Sequence, residues 1–564
     1  MAWTPYQAEE YVDFNYVERF CRELAEEFPR WVDLKEVGKS GQGRPLLLVT
    51  LGDAEQVAGK PGRGDRPALW LDAGTHASEF TGVSAVLLIV SKWIEALKAG
   101  DERIEAFFRE HDALIMPCIS PDGVQAMAEG SPYLRSSLSP PREGGVRSGL
   151  EACDMDGDGA VRMMRWKDPA GTFVEDPEWA PFMRPRTLDD DPLDCYFMTR
   201  EGEFINWDGV SWTAATQAFG LDLNRNFPGN WEPFSMFGMN GGGYSLSEPE
   251  ARAVVDSFAS HKRVGCALTM HTYTGCVLTQ PYRKDTPLST RDLELMERFA
   301  KDMTAGTGYK VYKVYPEFMY DMDRAIVGVW ADTIATVFGV PGYTVELWDP
   351  MGHAGLEVER PVDFLMRPPE EELKQMLKKF AEDQENIAAW KAYDHPQLGA
   401  VEIGGIEYLR TIRNPPVKLL ARECEAAFKM AERARFALPR VESQVEVEAL
   451  DENLFQVRLI LENQGFLSTS GLERGADLGA SQRVVAELIG DKVEPLDGLR
   501  QREMKHLEGW GTLRTGSARN PVYAGLGGSG HRHFAEWILR GDGEVKIQWD
   551  AGRGGAGLEV FTLG

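Results

Sequence analysis

In "THASEF", His76 and Glu79 stand three residues apart, just after the apolar run "PALWLDA" (67–73). A zinc hydrolase needs about three protein ligands and an open position for water, with His and Glu among the usual donors. His76 and Glu79 would supply two, although the same pair could be a polar strand end. His271 is the candidate third ligand, because it closes another apolar run, "GCALTMH" (265–271). Glu346 lies in "GYTVEL" (342–347). A carboxylate in so apolar a strand is costly unless it is paired or used, which makes it either a general base beside a metal-bound water or the partner of a buried arginine. His111, His261, His353, His395 and His506 occupy polar or loop contexts and read as solvated. His531 and His533, in "GHRHF", could share one strand face and chelate a metal, but no third donor stands near them in the sequence.

These residues need a scaffold, and the pattern supplies one. Short apolar runs at 44–51, 67–73, 112–118, 265–271 and 342–347 read as buried strands, with helical periodicity around 81–98, 247–261 and 289–304. An opening helix repeats apolar residues from Tyr11 to Phe28 and stops at Pro29. Alternation of this kind predicts an α/β fold with a parallel or mixed sheet, and such sheets place their sites at the carboxyl ends of strands. Between 139 and 220 the pattern dissolves into Pro, Gly, Asp and Trp, as expected of an insertion on the core. A helical tail is expected from 368 to 436. From 440 onward, alternating runs such as "FQVRLILEN" and "GEVKIQWD" predict a separate β-sandwich over 440–564, leaving 1–436 as the catalytic unit.

Bulk composition narrows the function further. A chain of 564 residues suits two or three domains, and its formal charge of −27 repels phosphate backbones and anionic membranes. With no basic block among the Lys and Arg residues, neither nucleic acid nor membrane is an expected partner. Seven cysteines without a CxxC pair suit free thiols in a reducing compartment. The start "MAWTPYQAEEYVDF" shows no basic, apolar signal pattern, and the longest apolar stretches read as strand-sized or broken by charge, so the expectation is a cytoplasmic protein.

Five motifs in order resemble the M14 zinc carboxypeptidases, the carboxypeptidase A type. They are "GTHASEF"; "SPDG" followed by Arg135 in "YLRS"; "LDLNRNFP"; "TMHTY"; and "VELWD". The resemblance implies a mixed, eight-stranded sheet flanked by helices and one Zn²⁺ held by His76, Glu79 and His271. It also implies Glu346 as general base, Arg135 as oxyanion partner, Asn224 and Arg225 as the grip on a substrate's terminal carboxylate, and Asp222 as the group orienting His76. For the family's substrate-capping tyrosine, Tyr320 is chosen over Tyr312 and Tyr315. The segment that would form the side-chain pocket departs from the family pattern: Arg324 there would favour acidic terminal residues, Asp321 or Asp323 basic ones.

The insertion carries "DMDGDGAVRMM", which puts Asp154, Asp156 and Asp158 at positions 1, 3 and 5 of a calcium-type loop. Position 12 is Arg165, where such loops need Glu, so Ca²⁺ competes with a plain Asp-Gly turn. A long insertion with a C-terminal β domain is similar to a prokaryotic subgroup of the family. The resulting expectation is a carboxypeptidase acting on peptides with a free C-terminal carboxylate. A zinc amidase or deacylase acting on N-acyl amino acids or cell-wall peptides, and a zinc-holding binding protein without turnover, are the alternatives.

Overall fold

Eight strands form the central sheet: β1 (Val32–Lys39), β2 (Pro45–Leu51), β3 (Ala68–Ala73), β4 (Asp112–Met116), β5 (Val264–Thr272), β6 (Cys276–Thr279), β7 (Lys310–Lys313) and β8 (Gly342–Leu347). In this computed structural model all residues are described except 1, 2, 132, 140–145, 237, 322–325, 383–385, 514–521 and 523–527. The strand order is β1-β2-β4-β3-β5-β8-β6-β7. The middle four, β4-β3-β5-β8, run parallel, and their neighbours β2 and β6 join antiparallel. The expected mixed sheet is therefore present, and the five predicted strands form its core.

Every residue of β3 and β5 is buried, as parallel strands covered on both faces must be. The two faces feed different cores in alternation. Leu69, Leu71, Cys266, Leu268 and Met270 join the side covered by α1 (Phe14–Glu27), α2 (Phe80–Lys98) and the long helix α5 (Val417–Phe436). Trp70 and Ala267 join the side covered by α3 (Pro249–Ser260) and α4 (Trp330–Thr336). α2 is long and apolar enough in composition to cross a membrane, but 83% of its most apolar stretch is buried inside the protein. It lies against β3, β5 and α5 and serves as a core helix.

The region expected as a helical tail is only partly helical. Helices at Glu370–Phe380 and Val417–Phe436 enclose two strands, Ile387–His395 and Gly399–Ile406. Those strands join the insertion's strands in a six-stranded sheet, where Glu402 stands opposite Arg165. Their alternation of half-exposed residues is the pattern of a one-faced sheet, and it sits between two helical runs that obscure it.

From Val441 the chain forms two four-stranded antiparallel sheets sharing one core, with Val457 and Trp537 from one and Ile547 and Trp549 from the other. This β-sandwich docks at the amino-terminal end of β5. There Arg263 pairs with Asp550 at 2.7 Å, and the buried Arg553 donates to the Val264 carbonyl at 2.7 Å. The site described below lies at the opposite end of the strand.

Candidate active site

β3 ends at Ala73 and the chain turns through Gly74, whose φ of 68° brings the backbone against Cys118. The short loop that follows presents His76 and Glu79 before α2 begins at Phe80. A second segment locks onto this loop, because the Ala77 N–H donates to the Arg135 carbonyl at 2.8 Å. The glycine of "SPDG" makes that approach feasible: a Cβ on Gly123 would lie 1.8 Å from the Ser136 carbonyl oxygen. Ser136 in turn accepts the Leu223 N–H through its hydroxyl, which fixes the turn carrying Asp222 and Arg225.

Three donor groups from two strand ends converge. His76 Nδ1 lies 2.9 Å from Glu79 Oε1, His271 Nδ1 lies 3.0 Å from Glu79 Oε2, and the two Nδ1 atoms are 3.0 Å apart. All three residues are buried, at 3%, 2% and 1% exposure. His76 Nε2 faces Asp222 at 3.2 Å, and a carboxylate there holds the proton on Nε2 and leaves the Nδ1 lone pair pointing inward. Two ring nitrogens meeting at a carboxylate make a poor hydrogen-bond set but a good ligand set. A tetrahedral ion with bonds of about 2.1 Å would space its donors by about 3.4 Å, a small expansion of what is seen. The residues present fit zinc.

Glu346 joins them through sheet register, since it is the partner of His271 across β5 and β8. Burial, reinforced by the negative charge of Glu79, pushes its carboxyl up to about 7. Burial also pushes on Glu79, but His76 and Arg135 outweigh it and hold that carboxyl well below the usual range. Asp222 behaves likewise beneath Arg225 and Arg135. Two kinds of carboxylate thus coexist: Glu79 and Asp222 locked in the ionised form, and Glu346 poised near neutrality.

Arg135 donates from Nη1 to Glu79 at 2.9 Å and from Nε to Asp222 at 3.4 Å. Arg225 stacks over Phe234 at 5.0 Å, and both line a cavity of about 380 Å³ together with Arg135, Glu346 and Tyr320. Asn224 is buried beside Arg225, its Oδ1 accepting the Trp330 N–H at 2.9 Å. Of the three tyrosines weighed, Tyr320 lines the cavity, whereas Tyr312 turns its hydroxyl to the Glu359 carbonyl. Asp321 is also on the wall, but Asp323 and Arg324 lie outside the described residues.

Among the cavity residues that sequence reasoning missed are Tyr133, Tyr273, Tyr408 and Arg413. Arg413 reaches from Nη1 to within 3.3 Å of Glu79, donates from Nη2 to the Tyr133 hydroxyl at 3.2 Å, and stacks over Tyr273 at 5.0 Å. Its neighbour Asn414 pins the segment in place, accepting from the Thr81 N–H and donating to the Ser78 carbonyl. Although burial raises the Tyr133 phenol, Arg413 and Arg135 outweigh that effect and hold it below its ordinary value. "TMHTY" and "YLR" could have flagged Tyr273 and Tyr133, but nothing local singles out Arg413.

The other expected donors come out differently. Asp154, Asp156 and Asp158 do cluster, but they are exposed, and the loop itself occupies them. Asp154 accepts from the Gly157 and Gly159 N–H groups, Asp158 pairs with Arg162, and Arg165 is held by Glu175 and Glu402. The structure gives calcium no support. Among the described residues His531 and His533 find no third donor. His111 and His395 are buried rather than solvated, at 7% and 1% exposure, and each contacts a backbone carbonyl through Nε2.

Residues 17–172 and 192–383 match the M14 peptidase family described as zinc carboxypeptidase. The chain belongs to that family. The M14 match spans all three proposed zinc ligands, Arg135, Asn224, Arg225 and Glu346, whereas Arg413 falls beyond it. Carboxypeptidase B of Astacus astacus is 28% identical over 123 residues, 22% of this chain and 35% of that protein. An inactive metallocarboxypeptidase of Ajellomyces dermatitidis is 29% identical over 115 residues, 20% of this chain and 19% of that protein. The matched stretch thus spans about a third or less of these relatives. The carboxypeptidase A structure from Helicoverpa armigera is 17% identical, covering 68% of this chain and 76% of that one with a TM-score of 0.40. Residues 441–558 match a domain of unknown function.

Proposed function

We propose that this M14 family member is an active, zinc-dependent carboxypeptidase that removes the last residue of peptides bearing a free C-terminal carboxylate. The observation that carries the reading is the register pairing of Glu346 with His271, which sets a carboxylate poised near neutrality beside the three-ligand cluster. Zinc bound by His76, Glu79 and His271 would lower the pKa of a water toward neutrality and polarise the scissile carbonyl.

The chain's own residues then divide the work. Arg225 grips the substrate's terminal carboxylate, which limits cleavage to the last bond. Arg135, fixed by Glu79 and Asp222, donates from Nη2 to the carbonyl oxygen as negative charge develops there. Glu346 accepts the proton of the attacking water and passes it to the leaving amine nitrogen, a transfer its place opposite His271 allows. Tyr320 stands on the cavity wall, where it can cover the bound terminal residue. A binding protein without turnover would need neither Glu346 nor Arg135 in this arrangement.

The test is release of terminal amino acids by zinc-loaded protein from peptides that differ only in their last residue, with and without chelator. Inactivity on every peptide together with hydrolysis of N-acyl amino acids would move the assignment to an amidase or deacylase.

A further inference from the structure

Tyr273, Leu365 and Tyr408 line both the catalytic cavity and a second hollow of about 470 Å³, so the two adjoin at these side chains. Phe173, Trp179 and Phe182 form one side of the hollow, and Trp390, Ile406 and Ile412 another. Both groups come from stretches outside the M14 match, which covers 17–172 and 192–383. Segments outside the family match thus close the hollow against residues inside it such as Met198, Phe364 and Leu373.

Its chemistry restricts what can enter. Among the described residues Glu370 is the only charged group on its wall. A peptide backbone laid there would lose water from its N–H and C=O groups with few replacement partners, which is unfavourable. Large apolar side chains pay no such penalty and gain by burial. Position restricts the occupant as well. Arg225, Phe234 and Met236 line the catalytic cavity but not the hollow, which sets the hollow apart from the carboxylate grip.

We propose that this apolar hollow is a subsite for large apolar side chains one or two positions before the scissile bond, selecting peptides with aromatic or bulky aliphatic residues there. The proposal rests on the reading of Arg225 as the grip on the substrate's terminus. Met198 and Ile406 are half-exposed lining residues outside the catalytic set, which makes them suitable probes.

The test measures calorimetric binding to zinc-loaded Glu346→Gln protein of two peptides sharing their last residue, with Phe-Phe or Ala-Ala before it. A third peptide carries a fatty acyl group on the Ala-Ala sequence. The Phe-Phe peptide is expected to bind about tenfold tighter than Ala-Ala. Met198→Trp, which fills the hollow, and Ile406→Asn, which makes it polar, should each shrink that ratio to about twofold while leaving Ala-Ala affinity unchanged. Equal affinities, a ratio that survives both substitutions, or a gain from the acyl group alone would overturn the proposal. Turnover of the same peptides by unsubstituted protein reports separately on the peptidase reading, since selective binding without turnover would retain the subsite and reject the activity.

Discussion

Arg413 Nη1 lies 3.3 Å from Glu79 Oε1, although 334 positions separate the two residues along the chain. The contact closes the cavity with a third arginine after Arg135 and Arg225, supplied by a segment beyond the M14 match. Because Arg135 holds the same Glu79 oxygen at 2.9 Å, Arg413→Ala should leave zinc content intact. With the cavity short of one cation, kcat/KM for peptides should fall by about tenfold or more. Metal analysis alongside steady-state kinetics checks this; loss of zinc would instead mean that Arg413 serves Glu79 alone.

Glu346→Gln should retain zinc and lose turnover by about two to four orders of magnitude, because the amide cannot accept the proton. The acid limb of kcat/KM should disappear with it. In the protein without metal the Glu346 carboxyl sits at about 7, and a nearby dication favours its ionised form and moves that value down. Activity should therefore rise with pH through a single ionisation below 7. A limb unchanged in the small residual activity of the variant would assign the proton transfer to another group.

Asp222→Asn should weaken zinc binding by about 10- to 100-fold, the usual cost of removing a carboxylate behind a ligating histidine. Asp222 faces His76 Nε2 at 3.2 Å and also braces Arg135, so turnover at saturating zinc should fall as well. Competition with a chelator of known affinity measures the first effect, and kinetics at high zinc measures the second. Unaltered zinc affinity would show that the His76 tautomer is set elsewhere.

His111 ties stability to pH at the junction with the β-sandwich. Its ring stacks on Phe107 at 4.7 Å, and its Nε2 donates to the Pro439 carbonyl at 3.2 Å. Among the described residues Nδ1 is buried without a partner, and burial holds the group down at about 4, against an ordinary 6.5. The folded state prefers the neutral ring, so its contribution is present above 6.5 and is lost as pH falls toward 4. Linkage puts the loss on the order of 2 kcal/mol near pH 5. His111→Phe keeps the ring but cannot titrate, so its denaturation midpoint should drop less between neutral pH and pH 5 than that of the unsubstituted protein. Equal drops would remove His111 from the acid response.

What was legible in the sequence follows the range of the interactions involved. His76, Glu79, His271 and Glu346 stand at the ends of short buried runs, where local composition marks both the strand and the misplaced polar residue. The parallel core of the sheet was readable for the same reason. By contrast, Arg413 looks like one arginine among many until the pairing of Ile387–His395 with Gly399–Ile406 folds the chain back and Asn414 docks on Ser78 and Thr81. Those strands alternate on one face only and are flanked by true helices, so helical periodicity on either side masks them. The short β6 and β7 at the sheet's edge owe their extended form to pairing with each other and with β8, which no local run announces. His111 read as solvated because its neighbours are polar, and it is the sandwich's Pro439 and the flat face of Phe107 that bury it.

The most direct measurement is mass-spectrometric detection of product from a matched peptide pair, one with a free C-terminal carboxylate and one amidated, incubated with zinc-loaded protein. Release of the last residue from the free peptide, its loss on chelation, its recovery with added zinc, and no cleavage of the amidated peptide are the expected results. Zinc-loaded protein that leaves the free peptide intact, or cleaves both peptides equally, would contradict a carboxypeptidase built on His76, Glu79, His271, Glu346 and Arg225.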